Sequence, residues 1–314
     1  YEKFLPKISS VVSKIFIIYV LLTVMLFFFY YINQMSIFDA IAHSFTTIST
    51  GGFSTHSDSF AYFDNVKIYC VAIVFMIIGS LPFLVLAQIK FSNFQAIFKD
   101  NQIRVFLIIL LFATLIIFFL ANNFVEGTYF KKFISISFNT ISIISGTGFV
   151  SENYENWGNY ASVLFLILMF IGGCAGSTTG GLKVFRFQIL FKYIHLHLKK
   201  MLHPHVVIAS YFNGKRVSGS TFESVTTFFF LYILTFSISA LLLSFSGLDF
   251  LTCISAAASA ISNVGPGLGE IIGPNGNYSS LTDSSKYILS ITMFLGRLEM
   301  LTIFILFLPT FWKN

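Results

Sequence analysis

Ile48-Ser49-Thr50-Gly51-Gly52 returns in altered form as Ile144-Ser145-Gly146-Thr147-Gly148 and as Ile261-Ser262-Asn263-Val264-Gly265. Each copy of this Ile-Ser-x-x-Gly signature follows a short helix-like run: Ile37 to Thr47, Tyr129 to Ile143 and Leu248 to Ala260. Long apolar segments stand before and after each copy. The repeating unit is therefore helix, re-entrant loop, helix, and glycine-to-glycine separations of 96 and 117 residues fit duplicated modules with unequal connections. A plain Gly/Ser turn on the outer surface would account for one occurrence. Three at equivalent places argue for loops set at membrane depth. Irregular backbone is tolerated there only when it is buried in protein or lines a water-filled cavity. The loops are accordingly expected to line an ion path.

Composition agrees with a membrane setting. Of 314 residues, 56% are hydrophobic, only 10% are charged, and 41 are Phe; the mean hydropathy is +0.82. Such a balance excludes an ordinary soluble domain. Six spans are predicted, at 11–32, 66–89, 103–121, 159–199 with an interruption, 222–246 and 286–311, each about 20 residues or more. The fold class expected is an all-α integral membrane protein. The formal charge of +6 is distributed by side rather than clustered for nucleic acid. Lys3, Lys7, Lys14, Lys90, Lys99, Arg104, Lys183, Arg186, Lys192, Lys199, Lys200, Lys215, Arg216 and Lys313 fall on one side. Lys67, Lys131, Lys132 and Lys286 fall on the other, and Arg297 lies within a span. The positive-inside rule puts the first group in the cytoplasm, so the signature loops open from outside. Cys70, Cys174 and Cys253 stand singly in apolar stretches, which fits neither a metal site nor a disulfide framework.

The residue types of the loops suit cation coordination. Ser49, Thr50, Gly51 and Gly52, with Ser145, Gly146, Thr147 and Gly148, and Ser262, Asn263, Val264 and Gly265, form the candidate ion filter. Glycine accepts positive φ, so successive carbonyl oxygens can turn toward one axis and replace the hydration shell of a permeating cation. Each preceding short helix would aim its negative C-terminal end at that cation. The loops carry no acidic ring, leaving dipoles to coordinate. Asp58, Asp64, Glu152, Glu155 and Glu270 outside would raise the local cation concentration.

Gly172, Gly173, Gly176, Gly180 and Gly181, with Ser177, Thr178 and Thr179 among them, interrupt the fourth span just before Lys183. Each glycine costs about 1 kcal/mol relative to alanine in a helix, so a loop is expected there. A phosphate-binding P-loop is excluded because the Gly-Lys-Ser/Thr ending is absent. Arg297 stands about a dozen residues into the last span, where an arginine costs on the order of 3 kcal/mol and must face an interior or a water-filled cavity. Glu299, two residues on, points elsewhere, so Arg297 is expected against carbonyls or hydroxyls of the 172–181 loop. The plainer alternatives are a kink without function and an arginine that only bonds helix ends. His195, His197, His203 and His205 read as a polar turn on the cytoplasmic face: two residues apart on a helix, the first two diverge rather than converge on a metal.

Four stretches carry a family resemblance: Thr46-Thr47-Ile48-Ser49-Thr50-Gly51-Gly52-Phe53-Ser54-Thr55, Gly172-Gly173-Cys174-Ala175-Gly176-Ser177-Thr178-Thr179-Gly180-Gly181-Leu182-Lys183, Asn263-Val264-Gly265-Pro266-Gly267-Leu268-Gly269 and Leu295-Gly296-Arg297-Leu298-Glu299. In these the chain resembles the Trk/Ktr/HKT superfamily of potassium transporters, and the TrkH branch most closely, essentially from end to end. The resemblance implies four helix–pore–helix repeats around a pseudo-four-fold central pore. The units at 1–100, 101–220 and 221–314 look like repeats two, three and four. The chain opens at Tyr1 rather than Met, and an upstream part carrying repeat one is expected to be missing. The resemblance further implies uptake of K+ as the transported ion, with no organic cofactor. It makes 172–181 an intramembrane gating loop, with Lys183 and Arg297 at the gate. A homodimer with one pore per protomer, a cytoplasmic nucleotide-binding regulatory ring of the TrkA/KtrA type, and a multi-pass position in the bacterial inner membrane are also implied. Glycine in all four filters goes with K+ in the superfamily, and serine in repeat one with Na+. Na+ or mixed K+/Na+ passage, and a truncated chain that does not conduct, are the alternatives. An intramembrane enzyme is disfavoured, because only Arg297 and Glu299 are titratable groups placed for chemistry within the spans.

Overall fold

A computed structural model of the chain describes residues 5–88, 98–203, 210–298 and 300–312. Lys3, Lys90, His205, Glu299 and Lys313 lie outside the described residues. Three times the chain runs a long helix of 21 to 28 residues, a short helix of 12 to 16 and a further helix of 11 to 15. The first unit is α1 (Leu5–Ile32), α2 (Ile37–Ile48) and α3 (Val66–Gly79), followed by a short α4 (Phe83–Gln88). The second is α5 (Asn101–Ala121), α6 (Tyr129–Ile144) and α7 (Asn159–Met169), then a loop and α8 (Val184–Leu202). A small hairpin, β1 (Tyr211–Phe212) with β2 (Lys215–Arg216), pairs Tyr211 with Arg216 and Phe212 with Lys215. Its turn is Asn213-Gly214, both at positive φ, as a two-residue hairpin requires. The third unit is α9 (Gly219–Ser244), α10 (Phe250–Ser262) and α11 (Asp283–Arg297), with α12 (Met300–Leu306) after it.

The short helices begin in one way. Ser36, Thr128 and Asp249 stand just before α2, α6 and α10, and each side chain accepts the amide three residues on, from Asp39, Lys131 and Thr252. Such a cap satisfies one of the amides left over at a helix start. The short helices are also the buried ones: α6 is buried without a break from Ser135 to Ile144. On α10 the run Ala256, Ala257, Ala258, Ser259 and Ala260 keeps the surface thin enough for α9 and α11 to pack closely.

The long helices are built the other way out. Phe16, Phe119 and Phe230 on α1, α5 and α9 are 67%, 77% and 65% exposed, a surface that suits hydrocarbon and not water. Among the described residues α1, α5 and α9 are long and apolar enough to cross a membrane as single helices, and α11 with α12 makes a fourth if that bent pair is one span.

Two of the six expected spans are corrected. The span at 66–89 breaks between α3 and α4, because Pro82 lacks an amide and cannot continue the helix. The span at 286–311 is not straight: α12 lies at 106° to α11. Gly296 sits so close to the end of α10 that a Cβ there would be 1.9 Å from the Ile261 carbonyl oxygen. The last turn of α11 is thus fixed against α10, and the helix stops at Arg297.

The α10 cap gives a test. The Thr252 side chain beside it and the Thr252 amide, which donates to it at 3.1 Å, hold the Asp249 carboxyl below the usual carboxylate range. A group with a lowered folded pKa stabilises above its unfolded pKa and loses that contribution as pH falls through the folded value. Asp249→Ala should cost about 1 kcal/mol, read as a lower melting temperature in detergent at neutral pH. The difference from wild type should vanish below the carboxylate range.

Candidate functional site

The three signature loops share one backbone. Gly51, Thr147 and Val264 donate their amides to the carbonyls of Thr46, Ser142 and Ser259, five residues back, at 2.8, 2.9 and 3.0 Å. The residue before each donor has positive φ: Thr50 at 49°, Gly146 at 65° and Asn263 at 55°. That combination is the helix-ending motif with a left-handed residue just past the last turn. Two residues later the backbone is left-handed again, at Gly52 (68°), Gly148 (80°) and Gly265 (110°). Alternating hand at alternate residues turns successive carbonyls to one side of the chain. All twelve candidate filter residues belong to these three motifs.

The loops stand side by side. A Cβ on Gly52 would lie 1.7 Å from the Thr147 carbonyl oxygen, and one on Gly148 would lie 1.9 Å from that of Val264. Each glycine of one loop therefore abuts a carbonyl of the next. At Gly265 the series stops, with nothing within 4 Å of a Cβ there. The other end of the series is open as well. Phe149 in the second loop is fully buried, its ring 4.3 Å from Phe60 and 6.0 Å from His43 of the first unit. Phe53, its counterpart in the first loop, is 76% exposed. A cavity of about 540 Å³ lies between these two ends, bordered by Ser49, Thr50, Gly51 and Phe53 on one side and by Asn263, Val264, Gly265, Tyr278 and Arg297 on the other.

The 172–181 loop packs beneath all three signature loops. The Thr178 hydroxyl lies 3.0 Å from the Ile48 carbonyl, 3.1 Å from the Gly79 carbonyl and 3.2 Å from the Thr50 hydroxyl. A Cβ on Gly180 would lie 2.2 Å from the Ser262 carbonyl, and the Gly180 amide nitrogen is 3.5 Å from where Gly146 would carry one. Within the loop, Gly172 approaches Gly180 so closely that a Cβ would stand 2.3 Å from its carbonyl. Gly173 donates to the Thr179 hydroxyl at 3.1 Å, and Ser177 lies 2.8 Å from that hydroxyl. Lys183 donates to the carbonyl and hydroxyl of Thr179. The break between α3 and α4 is the loop's partner: Cys174 and Thr178 donate their amides to Ser80 and Gly79, and Phe83 donates to Gly176.

Arg297 ends α11 and donates to the Thr178 carbonyl at 2.9 Å. It borders both the 540 Å³ cavity and a second one of about 260 Å³ on the other side of the loop, shared with Gly176, Gly181, Lys183 and Arg186. The Arg186 guanidinium lies 3.8 Å above the Phe228 ring. Three of the five acids expected to attract cations are engaged within the protein. Lys131 pairs with Asp64 at 3.0 Å, Glu152 accepts from Ser135, and Glu155 accepts the Gly269 amide at 2.6 Å. Glu155 thus ties the second unit to the third. Among the described residues no group of three or more His, Cys, Asp or Glu is placed to hold a metal ion.

Sequence reasoning missed Thr46, Ser142 and Ser259, the acceptors for the loop amides. A signal existed: each stands six residues before the last glycine of its signature. It also missed Tyr278, whose hydroxyl reaches the Gly265 carbonyl, and no spacing announces that contact.

Comparison with known proteins follows the same lines. The family described as TrkH, cation transport protein, matches residues 2–313. The Trk system potassium uptake protein TrkI of Halomonas elongata is 37% identical over all of this chain, which covers 64% of that protein. The Trk system potassium uptake protein TrkH of Escherichia coli K12 is 34% identical, again over the whole chain, which covers 65% of it. The crystal structure of the potassium transporter TrkH from Vibrio parahaemolyticus superposes with a TM-score of 0.90 at 35% identity, over 98% of this chain and 66% of that one. The chain thus spans about two thirds of the length of these relatives. With its apolar helices and shared fold it is an integral membrane protein, and it belongs to the TrkH family of cation transport proteins.

Proposed function

We propose that this chain supplies three of the four walls of a potassium-conducting pore. The observation that carries the reading is the arc of three signature loops, in which Gly52 abuts Thr147, Gly148 abuts Val264, and both ends are open toward one cavity. A fourth helix–loop–helix unit, from the same polypeptide or another, fits between Phe53 and Gly265 and closes the ring. K+ is the proposed ion. The loop carbonyls replace its water, and relatives of this chain are named potassium uptake proteins. The three units at 1–100, 101–220 and 221–314 act as pore repeats, with their loops open to the outside of the bacterial inner membrane.

The 172–181 loop is the proposed gate. It lies under the loops, and Arg297 pins it through the Thr178 carbonyl. Lys183 steadies its far end through Thr179. A fixed cation just below the filter also opposes leakage of other cations when the gate is shut. We assign regulation to a TrkA/KtrA-type nucleotide-binding ring meeting the basic inner face that carries Arg104, Lys192, Lys199, Lys200 and Arg216. A homodimer is the proposed assembly.

Rubidium uptake by cells carrying the native gene tests the pore. Gly148→Ser drives a side chain into the Val264 carbonyl at an overpacking cost of about 1–3 kcal/mol, so preference for K+ over Na+ should fall about tenfold. An unchanged preference would sink the filter reading. Arg297→Ala removes a charge-assisted hydrogen bond of about 1.5–3 kcal/mol. Flux without the activating partner should therefore rise about tenfold, and flux equal to wild type would refute the gate.

A further inference from the structure

The third signature loop differs from the other two in how its outermost peptide is held. Gly52 and Gly148 are pressed against the carbonyl of the next loop. Their amides bond to backbone carbonyls of their own short helices, at Thr46 (3.4 Å) and Ser142 (3.2 Å). Gly265 stands at the open end of the arc, where the proposed fourth unit would sit. It is gripped by side chains of its own unit. Its amide donates to the Ser259 hydroxyl at 3.0 Å, and its carbonyl accepts from the Tyr278 hydroxyl at 2.7 Å. Both faces of one residue, at φ 110°, are thereby fixed by its own unit.

We infer that Tyr278 is a specificity-determining positioning residue, whose hydroxyl sets the direction and the free lone pairs of the Gly265 carbonyl offered to a permeating alkali cation. The inference rests on the pore reading above. A carbonyl has two lone pairs, and a phenol that occupies one fixes the peptide plane and leaves one for the ion. A carbonyl so held cannot close in on a smaller cation, which favours the larger ion.

The chain between Gly265 and Tyr278 is folded to deliver that hydroxyl. Gly267 donates to the Ile272 carbonyl at 2.8 Å, and Asn277 donates to Ile271 at 3.1 Å, so the segment doubles back on itself. Asn277 then caps the short turn Tyr278–Ser280, accepting the Ser279 amide at 3.0 Å. Glu155 of the second unit holds the same segment at the Gly269 amide. Desolvation pushes the Tyr278 pKa up to about 12, so the group stays a protonated donor at every physiological pH. Lys286 beside the same cavity donates instead to the Ser279 carbonyl at 2.9 Å.

Tyr278→Phe deletes the hydroxyl and keeps the ring. Rubidium uptake against competing Na+, at matched protein in the membrane, is expected to show the K+-over-Na+ ratio reduced about fivefold, the loss of one hydrogen bond. Ser259→Ala, which frees the amide side of the same peptide, should move the ratio the same way. It decides the matter if Tyr278→Phe does not reach the membrane. Gly148→Ser is measured in parallel. If Gly148→Ser shifts the ratio and Tyr278→Phe (or its Ser259→Ala substitute) does not, the Tyr278 inference is wrong and the pore reading stands. If none of them shifts it, both are wrong.

Discussion

A backbone that leaves its helix inside a membrane has to find every hydrogen-bond partner within the protein, because hydrocarbon offers none. That constraint organises this structure. The three short helices spend the amides just past their last turns on carbonyls five residues back, and the left-handed residues that make this possible leave the loop carbonyls facing outward from the chain. The 172–181 loop meets the same demand differently. Its amides and carbonyls pair with those released at Gly79, Ser80 and Phe83, where Pro82 stops α3 from continuing. Two interruptions in two spans are thus one structure, each satisfying the other.

Neighbouring units are joined by a contact that recurs with the repeat. The segment after the signature of one unit holds the segment after the signature of the next: Ser59 accepts the Val150 amide at 3.2 Å, and Glu155 accepts that of Gly269. The chemistry differs, a hydroxyl in one case and a carboxylate in the other, and the acceptors stand at one place, seven residues after Gly52 and Gly148, while the amides they hold lie two and four residues past the last glycine of theirs. What recurs is therefore a geometry of adjacency rather than a set of residues. Phe149 and Phe53 mark the two conditions of that geometry, one covered by a neighbour and one bare.

Much of this was legible in the chain. Apolar runs ended by glycine-bearing signatures placed the short helices at Ile37 to Thr47, Tyr129 to Ile143 and Leu248 to Ala260, within about two residues of where they lie. Five glycines in ten positions located the break before α8 for the same local reason. What was hidden is tertiary. Nothing local distinguishes Leu298 from a residue in mid-helix, and the approach of Gly296 to Ile261 across the unit is visible only in the fold. Glu155 read as a free surface charge because its partner, the Gly269 amide, is 114 residues away. Tyr278 was one aromatic among many until the fold brought its hydroxyl to Gly265.

The left-handed position past the first short helix is filled by Thr50, where its counterparts are Gly146 and Asn263. Glycine and asparagine accept that backbone readily, whereas a β-branched residue is strained there by roughly 1–2 kcal/mol. Thr50 is also the residue whose hydroxyl meets Thr178. Strain held at such a place is a reservoir that the surrounding contacts keep loaded. The three loops are therefore unequal in strain: the second and third carry residues suited to the left-handed position, and the first carries a β-branched one. In the proposed pore the strained wall is the one whose hydroxyl meets Thr178 of the gating loop.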